Sequence, residues 1–137
     1  MVRGGQLTVI LSYTKHPDHD FTHFISEDET SIKNWLETLI EYGTAGMTTR
    51  EFYDLRHQTN LFSTEEIGMI INRSVMVEDL HPPNGKTVIL VDNAEKYVLA
   101  ELYAIQAENH ERLSEVKVFF TLGEAIDWLG KDVAQCL

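Results

Sequence analysis

The sequence predicts an α/β domain in which about four helices cover a mostly parallel, mixed sheet, in the order ββαβαβαβα. Three observations lead there. Strand-like and helix-like stretches alternate along the chain, the pattern that βαβ units leave in a sequence. The run TVILV over residues 87–91 is apolar after its Thr and shows no in–out alternation, as a central strand covered on both faces requires. The first two strand-like stretches have no helix between them, so the sheet opens on a hairpin and gains one antiparallel strand.

Each element has its own warrant. LTVILSY over 7–13 is apolar and β-branched and reads as a first strand; the run is too short, and lacks the small-residue cleavage site, for a signal peptide. TKHPDHD follows as a polar turn, and FTHFI over 21–25 is the second strand. In SEDETS, Ser26 and Glu29 have capping-box spacing, and Thr30 or Ser31 could equally cap. Ile32, Trp35, Leu36, Leu39 and Ile40 then form one apolar helical stripe that ends at Tyr42-Gly43. REFYDLRH holds a third strand over 51–55, and FSTEEIGMIINRSVMVEDL a second helix with Ile67, Ile70, Ile71, Ser74 and Val75 turned inward. HPPNGK stops it: prolines break helices, and Asn84-Gly85 turns the chain towards the 87–91 strand. Asp92-Asn93 open a third helix reaching about His110, with Val98, Leu102 and Ile105 as its apolar line. VKVFF over 116–120 is the last strand. Thr121 and Glu124 have capping-box spacing ahead of Leu122, Ala125, Ile126 and Leu129, a helix extending as far as Val133.

The bulk properties narrow the function classes. A chain of 137 residues fits a single domain over 1–137, large enough to bury a core without metal or disulfide staples. Its 22 acids against 11 Lys and Arg give a net charge of −11, which argues against nucleic acid and anionic lipid as partners. Cys136 is the lone cysteine, so neither an internal disulfide nor a zinc spacing exists. No stretch reaches membrane-spanning length. The expectations are a cytoplasmic protein with no stable membrane insertion, no metal and no cofactor.

Two passages carry a family likeness. VKVFFTLGEAIDWLGKDV resembles a last strand of VRVF type leading into xxEEAxxWL, matched by 116–119 and by Glu124, Ala125, Trp128 and Leu129. REFYDLRHQTNLFSTEEI is similar to a vDLR…lS.ed passage from strand to helix, with Asp54, Leu55, Arg56, Ser63 and Glu66 in step. With GKTVILVDNAEKYVLAELYAIQAE between them, the chain resembles small bacterial STAS-like domains, stand-alone relatives of the anti-sigma-factor antagonists. The resemblance implies a non-catalytic regulatory domain whose partner is a protein of kinase or anti-sigma type. It also implies a phosphorylated Ser opening the helix after the third strand, the corner held here by Ser63 and Thr64. The chain departs from the family's DSSGxG motif, having no Asp-Ser before Ser63 and no Gly after it. Stand-alone relatives are also discussed as binders of small apolar ligands or lipids, in pockets like those of CRAL-TRIO domains.

The residues themselves pull towards plainer roles. Ser63-x-x-Glu66 is a complete capping box, and Glu65 and Glu66 would repel a phosphate placed there. His16, Asp18, His19, Asp20 and His23 are metal-ligand types, but Pro17 places them in a turn rather than on one helix face. Left in solvent, the histidines would titrate near the ordinary value of about 6.5. Asp54, Arg56 and His57 end the third strand, and Asp92 and Asn93 the fourth. Ligands of open α/β sheets settle at such carboxyl ends, with Tyr97 and Tyr103 as candidate aromatic walls. The plainer alternative is an Asp54–Arg56 ion pair and a helix cap at Asp92 or Asn93. No phosphate loop or nucleophile elbow is present, and GKT at 85–87 lacks the upstream glycine and precedes a strand. Trp35 and Trp128 read as packing residues. The sequence therefore ranks a protein–protein regulatory or adaptor role first, a small apolar-ligand or lipid carrier second, and an enzyme third.

Overall fold

Five strands lie side by side in the order in which the chain makes them. The computed structural model describes residues 11–110 and 113–137. The strands are β1 (Ser12–His16), β2 (Phe21–Asp28), β3 (Arg50–Gln58), β4 (Lys86–Leu90) and β5 (Glu115–Phe119). The helices are α1 (Ile32–Ala45), α2 (Thr64–Met76), α3 (Ala94–Ala107) and α4 (Leu122–Leu129). Their succession is the predicted ββαβαβαβα. β1 runs antiparallel to β2, and β2, β3, β4 and β5 pair in parallel.

This order decides where the helices go. Crossovers between adjacent parallel strands share one hand, so helices that step in one direction along a sheet fall on one face. Accordingly α1, α2 and α3 cover a first core with Phe24, Tyr53, Ile89 and Val91 of the strands. The chain after β5 returns beneath the sheet, where Ala125, Leu129 and Val133 close a second core against Phe21, Phe52, Val88 and Leu90. The strand predicted over 87–91 is thus central and covered on both sides, with Val88 and Leu90 fully buried.

Several boundaries differ from the sequence reading, each for a local reason. Within the described residues β1 runs on to His16; the predicted positions 7–10 lie outside them. A 3-10 turn at Pro17–His19 makes the hairpin corner, and Asp20 takes a left-handed φ of 48°. Ser26 does not start a helix, because β2 continues to Asp28 and Ser31 caps α1 by accepting from Asn34 N. α1 passes Gly43 and stops at Gly46, whose φ of +112° suits glycine. α3 ends at Ala107, short of His110. The largest correction is the buried face of α3: Val98 and Ile105 are 64% and 58% exposed, while Ala100, Ala104 and Ala107 are buried. Of the predicted line Leu102 does pack against the core, while Val98 and Ile105 point outward and the alanines inward. Nor does α4 reach Val133, which belongs to a 3-10 turn at Lys131–Cys136 beyond Gly130.

Gly130 marks a tie between the two ends of the described chain. Its φ is +131°, and a Cβ there would stand 2.5 Å from Arg50 Nη1. Arg50 donates in a fork to Asp132, 2.8 Å on each side, and also to the carbonyls of Leu129 and His19. That fork holds the Asp132 carboxyl well below the usual carboxylate range.

Candidate functional site

The polar residues singled out in the sequence gather where the carboxyl ends of β3 and β4 open. Arg56, His57, Asp92 and Asn93 line one broad cleft there with Glu27 and Asp28. Most of them already have internal partners. Asn93 caps α3 by accepting from Lys96 N at 2.9 Å, and Asp92 accepts from Lys96 Nζ at 2.8 Å. Asp54 points to the other face of the sheet, where Arg56 grips it through Nε at 3.0 Å and Nη2 at 2.8 Å. Burial alone would raise the Asp54 pKa, but the Arg56 hydrogen bonds and charge outweigh it and the net shift is downward. Tyr97 stacks on Phe120 at 5.0 Å and is not a wall of the cavity described next. Ser63 forms both halves of its capping box: its hydroxyl accepts from Glu66 N at 3.1 Å, and Glu66 Oε1 accepts from Ser63 N at 2.9 Å. Thr64 begins α2 beside it, exposed.

The histidines of the hairpin do not converge. His19 lies 3.4 Å from Asp132, while Asp20 Oδ1 accepts from Thr49 N. His16 stacks on Phe21, and His23 meets the Phe52 ring edge-on at 5.3 Å. Burial lowers the His23 pKa from 6.5, against a smaller opposing pull from Asp54. No group of three or more metal-ligating side chains comes together among the described residues.

Behind the polar cleft, sharing Gln58, Leu61 and Lys96 with it, an apolar cavity of about 70 Å³ lies between α1–α3 and the sheet. Each element contributes by its own periodicity. Alternation along β3 turns Tyr53 and Leu55 to this side, and β4 adds Ile89. Trp35 and Leu39, one helical turn apart, come from α1; Ile67 and Ile70 come from α2. α3 presents Ala100, whose small side chain leaves the space open. Trp35 lies parallel to Tyr53 at 5.7 Å and edge-on to Phe62 at 5.4 Å.

The polar groups in this wall are almost all committed within the protein. Gln58 accepts from Ser26 and donates to Asn60 O at 2.9 Å. Asn60 exchanges two hydrogen bonds with the Thr30 backbone, each 2.9 Å. Lys96 Nζ reaches Leu55 O at 2.9 Å and Arg56 O at 3.2 Å besides Asp92. Thr87 donates to Glu51 Oε1 at 2.9 Å. Trp35 differs: it is 94% withdrawn from solvent, yet its indole N–H has no hydrogen-bond acceptor among the described residues. Buried donors left this way cost about 1–3 kcal/mol and are rare in native proteins.

At the inner end, Leu39, Tyr53 and Tyr103 are shared with a smaller pocket that holds Glu51, Tyr42, Ser74 and His81. Glu51 is a fully buried carboxyl whose pKa burial pushes up to about 7, against hydrogen bonds from Tyr42 and Thr87. Burial also raises the phenols, Tyr103 to about 12, so they stay neutral in the physiological range. Sequence reasoning passed over Glu51, although a signal existed. It lies two residues before Tyr53, on the β3 face that the helices cover. Gln58, Asn60 and the Trp35 N–H carried no comparable signal, because their neighbours come from other elements.

No helix among the described residues is long and apolar enough to cross a membrane. Set against known protein families, curated proteins and solved structures, the chain matches none.

Proposed function

We propose that this domain acts by binding, without catalysis of its own, and takes a small apolar ligand into the cavity beneath α1, α2 and α3. The observation that carries this reading is the cavity itself: aromatic and aliphatic walls, a mouth at the carboxyl ends of the strands, and a buried donor without an acceptor. At about 70 Å³ it is roughly half the ~150 Å³ that encloses benzene, so a five-membered ring enters with part of the molecule in the polar cleft at the mouth. A long acyl chain would require α2 or α3 to move. The helices over the cavity therefore act as the ligand-holding layer of a carrier or sensor, the alternative that the STAS-like resemblance also carries.

The protein–protein role has support of a different kind, from Val98 and Ile105 exposed on α3. Phosphorylation of Ser63 as the switch for such a role is disfavoured. A phosphate would displace a completed capping box beside two carboxylates.

Native mass spectrometry and methyl NMR test the ligand reading. Methylcyclopentane, added to the purified chain, is expected to shift the methyl signals of Ile67, Ile70 and Ile89 and to leave those of Val88 and Leu90 unmoved. Ala100→Leu, which fills the cavity, is expected to abolish the shifts. Unperturbed isoleucines together with a clean apo mass after gentle purification would remove the ligand reading.

A further inference from the structure

We propose that the cavity selects a neutral apolar molecule carrying one hydrogen-bond acceptor, a carbonyl or ether oxygen, which takes the indole N–H of Trp35. This rests on the ligand-binding reading above and goes further, naming the chemical class. The accounting of polar groups leads to it. Gln58, Asn60, Thr87 and Lys96 spend their hydrogen-bonding groups on internal partners, so the ligand must leave them undisturbed. Among the wall residues Trp35 carries a buried N–H that no described residue accepts, and indole N–H can only donate. A ligand with an acceptor at that place relieves the deficit; a pure hydrocarbon leaves it.

Two features turn the site against an anion. Lys96, the cation among the described wall residues, is held by two carbonyls and the Asp92 carboxylate. One hydrogen bond behind the wall, Thr87 connects the cavity to the carboxyl of Glu51, which has only hydroxyl partners in the described hydrogen bonds. A carboxylate entering here would lose its hydration, meet a lysine already engaged by three oxygens, and approach an acid. Fatty-acid anions are therefore poor ligands and ketones, esters or ethers of the same shape good ones.

The protein supplies its own control. Trp35 and Trp128 are the two tryptophans of the chain, and Trp128 belongs to the opposite face of the sheet. In ¹H–¹⁵N spectra at pH 8, cyclopentanone is expected to move the Trp35 indole proton downfield while that of Trp128 stays. These probes have no aromatic ring, so ring currents do not imitate the shift. Trp35→Phe is expected to weaken cyclopentanone roughly tenfold and to leave methylcyclopentane within about twofold, as loss of one buried hydrogen bond implies. Cyclopentanecarboxylate is expected not to bind.

A ketone that binds without moving the Trp35 proton, or an unchanged ketone-to-hydrocarbon ratio in Trp35→Phe, overturns the proposal and leaves the ligand reading intact. Carboxylate binding as tight as the ketone overturns it as well. If none of the three probes binds, the ligand reading itself fails. Should Trp35→Phe not fold, the shift in the native protein decides alone.

Discussion

Trp35 and Trp128 stand on opposite faces of one sheet, and their surroundings differ in kind. Trp35, on α1, borders a cavity between the helices and the sheet, its N–H without an acceptor among the described residues. Trp128 is carried by α4, half-buried, with Lys86 and Lys117 over its ring at 5.0 and 5.6 Å and Phe119 tilted against it. The strands contribute unequally too. Towards α1–α3 they send Thr22, Ser26, Glu51 and Thr87 among their aromatics, all buried. Towards α4 the buried positions are Phe21, Phe52, Val88 and Leu90, with Asp54, paired to Arg56, as the buried polar group at the strand end. A face whose buried acid is already paired at the strand end, and whose remaining buried strand positions are hydrocarbon, can collapse until little space remains. A face that must satisfy buried hydroxyls and a carboxyl fixes its side chains by hydrogen-bond geometry, and space persists between them. The cavity therefore occurs on the polar-seeded side.

The strongest way to break this contrast is to remove the buried acid. Glu51 has a folded pKa of about 7 against an ordinary 4.5, so the folded state binds its proton more tightly than the unfolded state does. Its contribution is fully present below pH 4.5 and is lost as the pH rises through 7, amounting to about 3 kcal/mol at most. Glu51→Gln keeps an acceptor for Thr87 without the titration. Urea unfolding should show the variant more stable than the native chain at pH 8 by up to about 3 kcal/mol, with the gap closing towards pH 5. Taking the difference subtracts His23, whose lowered pKa acts in the opposite sense. A gap independent of pH would mean that Glu51 is ionised throughout.

Matched substitutions sharpen the comparison. Ala125 and Ala100 are both buried alanines, one facing each side of the sheet. Ala125→Leu pushes extra carbon into a closed core and should cost about 1–3 kcal/mol. Ala100→Leu enters the cavity and should stay within about 1 kcal/mol of the native chain. Equal losses in thermal or urea unfolding would mean that the two faces are packed alike.

The smallest effect lies outside both cores. Ser63→Ala removes the hydroxyl that accepts from Glu66 N and should cost about 1 kcal/mol. Binding of the cyclopentyl probes should not change, since Ser63 is not a wall of the cavity. Reduced probe affinity at unchanged helix content would tie that corner to the site.

How much was legible varies with the range of the interaction involved. Element types and their order could be read because hydrophobic period and capping residues are local, and so the buried stripes of α1 and α2 were recovered. The Ser63 capping box, closed within four residues, was visible for the same reason. α3 was misread at Val98 and Ile105, because its period admits two faces; Leu102 packs against the core as expected, but the fully buried positions are Ala100, Ala104 and Ala107. The cleft candidates Arg56, His57, Asp92 and Asn93 followed from a rule about strand ends, which locates a region without saying which side chains are already engaged.

By itself the sequence determined the kinds of elements, their succession, and the strand that had to be covered on both sides, because those depend on residues a few positions apart. The order of strands in the sheet, the face each helix covers, and the space left between Trp35 and Ala100 were decided only in three dimensions. A cavity is what remains after side chains distant in the chain have packed, and no segment encodes the volume that its neighbours fail to fill.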